Sequence, residues 1–124
     1  MKKLTIAAML AVSVAASAWA AKGHLDATGK TETVSGELLD MACYMAHEGK
    51  GAKHAKCAGA CVTGGAPLGL LTKEGKVYLV VGDHTNEKPY VEAKALVGAD
   101  AKLTGTVFTR GGLAAIVVSK AEKL

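Results

Sequence analysis

Apolar and polar positions along the chain change period several times, and each change marks an element. The first apolar stretch has no period. Leu4 to Val14 is apolar and uncharged, Lys2 and Lys3 precede it, and Ala18-Trp19-Ala20 follows. A basic start, a short apolar run and small residues at the two positions a signal peptidase reads predict a secretory signal over residues 1–20. The run is too short for a spanning helix. Cleavage after Ala20 therefore leaves no stable membrane insertion, and a periplasmic or secreted location is expected.

Residues 21–32 are polar, without period, and read as a flexible leader. A single domain is expected over 33–124. Thr33 to Asp40 is strand-like, with Val34, Leu38 and Leu39 apolar and Gly36 at a place for a bulge. Leu68 to Thr72 and Lys76 to Val81 flank Lys73-Glu74-Gly75, which predicts a hairpin. Tyr90, Ala93, Leu96 and Val97 recur at helical spacing between Glu87 and Val97, and Gly98 is placed to end that helix. Lys102 to Thr109 alternates as a strand. Arg110-Gly111-Gly112 is a turn, and Leu113 to Ser119 is the last strand.

Five strands with a helical insert and a second short helix predict a mainly β fold. The best match is a small, partly open five-stranded barrel of OB-like type. A small α+β sheet crossed by one helix is the alternative.

The insert holds all three cysteines, at 43, 57 and 61, and two of the four histidines, at 47 and 54. A helix is expected from about Ala52 to Val62, ending before Gly64-Gly65. Residues three and four apart share a helix face, so His54, Cys57 and Cys61 line one stripe. Cys43 and His47 precede it, in a loop or short turn. Folding the linker back brings them opposite the stripe. Three thiols and one or two imidazoles suit Zn(II) or Cu(I). Met41 and Met45 offer thioethers, which favour copper. The candidate metal ligands are thus Cys43, His54, Cys57 and Cys61, with His47 as a fifth. No C-x-x-C-H occurs, which disfavours covalent haem, while non-covalent haem held by His or Cys stays compatible. A disulfide is the competing reading: Cys43 paired with Cys57 or Cys61 would staple the insert in an oxidising compartment.

Composition narrows the function classes. Removal of residues 1–20 leaves 13 basic and 11 acidic side chains, a net charge of only +2. With three tyrosines and one phenylalanine remaining, the aromatic platforms and basic groove of a nucleic-acid binder are missing. No nucleophile elbow or phosphate loop is present, so hydrolytic chemistry is not expected and no catalytic residue is assigned. His24, near the new N-terminus, and His84, in a polar loop, are weaker metal candidates.

The run from Gly36 to Gly82 resembles a group of small, mostly uncharacterised secreted bacterial proteins. Their pattern is D-x-x-C-Y, then H-x-x-C-A-x-x-C, then G-x-P-x-G-L-L-T and a G-K-V-Y-L strand. It is matched here by Asp40, Cys43, Tyr44, His54, Cys57, Ala58, Cys61, Gly65, Pro67, Gly69 to Thr72 and Gly75 to Leu79. The resemblance implies an OB-like fold and brings no established activity. The Cys57–Cys61 spacing is also similar to the C-x-x-x-C of copper-delivery proteins with a thioredoxin fold, but the strand–helix order here differs from theirs. Three functional readings result. The first is a soft-metal carrier or accessory factor with a periplasmic protein partner or metal acceptor. The second is a disulfide-stapled interaction module without metal. The third is a thiol-redox protein using Cys57 and Cys61.

Overall fold

The computed structural model describes residues 29–124. The expected signal over 1–20, the leader to residue 28 and His24 lie outside the described residues. The elements are β1 (Lys30–Asp40), α1 (Met41–His47), α2 (Ala55–Thr63), β2 (Leu68–Leu71), β3 (Val77–Val81), α3 (Lys88–Ala95), β4 (Asp100–Arg110) and β5 (Leu113–Lys123). The five strands close into a barrel in the order β1-β2-β3-β5-β4. All neighbours are antiparallel except β3 and β5, which run parallel with Val80 opposite Ile116. With α3 between β3 and β4 in sequence, the fold is OB-like, as the sequence predicts.

The barrel is closed rather than partly open, and β1 is the reason. Its residues Lys30–Glu37 pair with β4, while Glu37–Asp40 pair with β2. One long strand thus supplies both seams, and Glu37 stands where they overlap. Gly36 lies just before that overlap. The register with β4 passes through it without a shift, so the expected bulge is absent there. A glycine is needed for another reason: a Cβ at this position would run into the Leu71 carbonyl of β2. The bulge lies instead in the β4–β5 ladder at Thr104/Gly105, where the Ser119 hydroxyl donates to the Thr104 carbonyl at 3.1 Å.

Two strand ends also differ from expectation. β1 begins at Lys30, within the expected leader, because those polar residues pair with β4 as far as Val107. β5 runs four residues beyond Ser119. Its tail has no apolar alternation, and the ladder to Ala101–Thr104 holds it. Ion pairs of Glu122 with Lys102 (3.6 Å) and Lys120 (3.1 Å) cross or flank that tail. Such exposed pairs contribute little. The β4–β5 turn needs left-handed backbone at Gly111 and Gly112, with φ of 56° and 81°.

Leu38, Leu68, Leu70, Val80, Leu103, Ile116 and Val118 fill the barrel, with Ala93 from α3. Val62 joins this core from α2, and α2 contacts both β1 and α3. The insert therefore rests on the end of the barrel where β1 stops and β2 begins. Among the described residues no helix is long and apolar enough to cross a membrane.

Gly36→Ala is expected to destabilise by about 1–3 kcal/mol, the usual result of forcing atoms into a packed place. Gly59→Ala, in mid-α2 where nothing lies within 4 Å of an added Cβ, should stabilise by about 0.5–1 kcal/mol. Paired urea denaturation curves of the two variants check both signs.

Candidate metal centre

The centre begins at one carboxylate. Asp40 is the last residue of β1, pairs with Leu68 of β2 and is fully buried. Its Oδ1 accepts the backbone N–H groups of Ala42 at 2.9 Å and Cys43 at 3.2 Å, so it caps α1. The cap turns the chain from strand to helix and sets Cys43 in the first helical turn, with its sulfur in one donor group with the same carboxylate. Cys43 and His47, one turn apart, therefore ride on a short helix.

α1 stops at Glu48, which takes a left-handed φ of 54°. Its N–H donates to the Tyr44 carbonyl at 2.8 Å, and the Gly49 N–H donates to the Cys43 carbonyl at 3.3 Å. The reversed linker is pinned to the barrel, because Glu37 Oε1 accepts the Gly51 N–H. Gly51 in turn accepts the His54 N–H at 2.9 Å, directing the chain into α2. α2 begins after His54, three residues later than expected, and carries Cys57 and Cys61 on successive turns.

Four of the five expected ligands fall into two donor groups that share Cys43. Ligand atoms of Cys43, His54 and Cys57 all lie within 4.8 Å of one another, and so do those of Asp40, Cys43 and Cys61. Cys43 belongs to both sets. Its Sγ is 3.9 Å from that of Cys61, and all three thiols are free. His54 Nε2 is 3.7 Å from Asp40 Oδ2, too far for a hydrogen bond, and both atoms are buried without a partner. Orphaned polar atoms of this kind are uncommon in folded proteins. A Cys₃His set with a carboxylate beside it matches the donors that hold structural zinc.

The fifth candidate, His47, stands outside both sets. It is exposed, and its ring meets the His54 ring edge-on with centroids 5.6 Å apart. The thioethers are used elsewhere. Met41 sulfur packs where a Cβ on Gly69 would sit, and Met45 is 74% exposed. His84 follows β3 in the loop with Asp83, apart from both sets.

Protonation follows from these contacts. Burial alone would raise the Asp40 carboxyl, but the neighbouring Cys43 thiol, hydrogen bonds from the Cys43 and Ala42 N–H groups and the nearby His54 ring outweigh it and hold it below its ordinary value of 3.8. That carboxylate, followed by burial and the Cys61 thiol, pushes Cys43 up to about 12. For Cys61 the Cys43 hydrogen bond pulls downward, but burial, the Asp40 charge and Cys57 together leave it raised. Metal-free Cys43 and Cys61 are therefore protonated at neutral pH, and an incoming cation must displace their protons.

Two residues of the centre were not among the ligands expected from the sequence. One is Asp40, whose signal was present: an aspartate three residues before Cys43 at a strand end is a helix-capping position. The other is Gly49. It is buried, and a Cβ there would lie 2.7 Å from His54 Nε2 and 3.0 Å from the His47 ring. No local pattern identifies it, because the close approach is tertiary. Comparison with protein-family models, curated proteins and solved structures finds no match for this chain. The fold and the donor cluster together define the class: an OB-like barrel whose first inter-strand insert carries a cluster of Cys, His and Asp side chains.

Asp40→Ala removes the cap and should destabilise the metal-free chain by about 1–2 kcal/mol. Asp40→Asn keeps an acceptor for both N–H groups and should cost less. Because the folded-state pKa lies below 3.8, ionised Asp40 contributes stability above that pH and loses it as pH falls through the folded value. The stability of metal-free Asp40→Asn should therefore fall less steeply below pH 4 than that of the parent, as read by urea midpoints across the acid range.

Proposed function

We propose that this chain is a periplasmic or secreted protein that holds one metal ion and serves as a carrier or accessory factor. The ligands are Cys43, His54, Cys57 and Cys61. Asp40 orients the set beside them. The carrying observation is that Cys43 is common to both donor groups, so one ion beside its sulfur is within reach of donors from both α1 and α2.

Zinc is favoured over copper. The two thioethers that would favour Cu(I) are turned to Gly69 and to solvent. The remaining set of thiolates and imidazole, with a carboxylate alongside, suits Zn(II). Four protein ligands also fill a tetrahedral shell. Catalytic zinc keeps one position open for water, so this set supports holding an ion rather than hydrolysis. Cys57 is exposed and gives an acceptor protein a ligand to approach first. The N-terminal signal pattern supports the location.

Native mass spectrometry of the mature chain taken from the periplasm should show one zinc per chain, with all three thiols unbridged. Cys43→Ser should weaken zinc binding more than about a hundredfold, since it removes the shared ligand. His47→Ala should leave it within about threefold, as expected for a residue outside the ligand set. Chelator competition measures both. A mature chain that neither carries nor takes up zinc or copper would sink this reading.

A further inference from the structure

The three thiols differ in access and in pairing. Cys57 is exposed, whereas Cys43 and Cys61 are half-buried. Cys43 and Cys61 sit on different helices with sulfurs 3.9 Å apart, close enough for side-chain rotation to join them. Cys57 and Cys61 lie four apart on one helix, where Cβ directions suit a bridge poorly. The Cys57 sulfur is nonetheless placed between the others: it shares a donor set with Cys43 and lies one helical turn from Cys61. One thiol faces solvent, and the pair best placed to bond lies behind it.

We propose that the centre also reacts with disulfides, and that this reaction discharges its metal ion. The inference rests on the metal reading above. The substrate class is an accessible disulfide, R–S–S–R, on a small molecule or a protein. Cys57 sulfur attacks one substrate sulfur, the substrate S–S bond breaks, and one RS⁻ leaves. Cys43 sulfur then attacks Cys57 sulfur and expels the second RS⁻. Finally Cys61 sulfur attacks Cys43 sulfur and returns Cys57 as a thiolate. In sum, two protein thiolates are oxidised to a Cys43–Cys61 disulfide and one substrate disulfide is reduced to two thiolates; in the metal-free chain the protons of the two thiols leave with the substrate sulfurs as two RSH. The zinc charge, previously balanced by the protein thiolates, is released to solution.

The consequence for binding follows from the shared ligand. Cys43 is in both donor sets, so a Cys43–Cys61 bond removes a ligand from each at once. His54 and Cys57 remain, too few to hold the ion. By linkage, bound zinc should in turn protect the pair from oxidation.

The test uses the mature chain, zinc-loaded and metal-free, treated with oxidised glutathione. Zinc release is followed with a chromogenic chelator, and bridges are mapped by peptide mass spectrometry. The expected result is one zinc released per disulfide formed, with the bond between Cys43 and Cys61. In the metal-free chain, Cys57→Ser should slow formation of that bond roughly tenfold, because exchange rates follow thiol access. Zinc retained after oxidation, a Cys57–Cys61 bond as the end product, or an unchanged rate in Cys57→Ser would each overturn the inference while leaving the metal reading intact. Failure to load zinc or copper at all overturns the metal reading itself, and the coupling with it.

Discussion

Everything at the centre depends on how one buried carboxylate is partnered. Asp40 accepts two backbone N–H groups through Oδ1 and so converts the end of β1 into the start of α1. A buried charge is tolerated only where hydrogen bonds satisfy it. Here the partners that satisfy it also decide the geometry of the centre. The cap sets the direction of α1, the direction of α1 places Cys43, and Cys43 is where the two donor sets meet. The second oxygen remains beside His54 and is not satisfied by the polypeptide alone. A fold that buries half a carboxylate without a partner has kept a polar demand beside Cys43, Cys61 and His54.

The barrel and the insert divide the work. Strand pairing between distant parts of the chain makes a rigid floor, to which the insert is fastened at three places. Val62 enters the core, Glu37 accepts from Gly51, and Gly98 packs against Ala55 at the start of α2. Ligands on short helices joined by a glycine-containing linker would otherwise be loosely placed. Anchoring that linker to β1 supplies the order that the short helices cannot supply for themselves.

Periodicity made most of the barrel readable. Leu103, Gly105 and Val107 alternate as a half-buried strand should, and the Lys73-Glu74-Gly75 turn sits where the hairpin needs it. What could not be read was tertiary. Gly36 announces a weak point in a strand, but whether it serves a bulge or the close passage of another backbone depends on where Leu71 falls. The tail from Lys120 to Lys123 reads as loose chain because its strand character comes from the ladder to β4 and not from its own side chains. At the centre, helical spacing brought His54, Cys57 and Cys61 together in advance. His47 shares a face with Cys43 by the same rule, yet it stands outside the donor sets against the His54 ring. Asp40 stood in the D-x-x-C-Y pattern but not among the expected ligands, because a capping residue is recognised by the helix after it, and that helix is only seven residues long.

The sequence distances within the molecule have a kinetic meaning. Cys43 and Cys61 are separated by 18 residues, whereas Thr33 and Thr104, hydrogen-bonded across the β1–β4 seam, are separated by 71. Closing the longer loop costs more chain entropy, and non-local pairing of this kind slows folding. The donor cluster is thus the short-range part of a long-range fold. Opening the insert breaks its hold through Val62, Glu37 and Gly98 but leaves the barrel seam shut, so the donor cluster should open at a lower free energy than the whole fold.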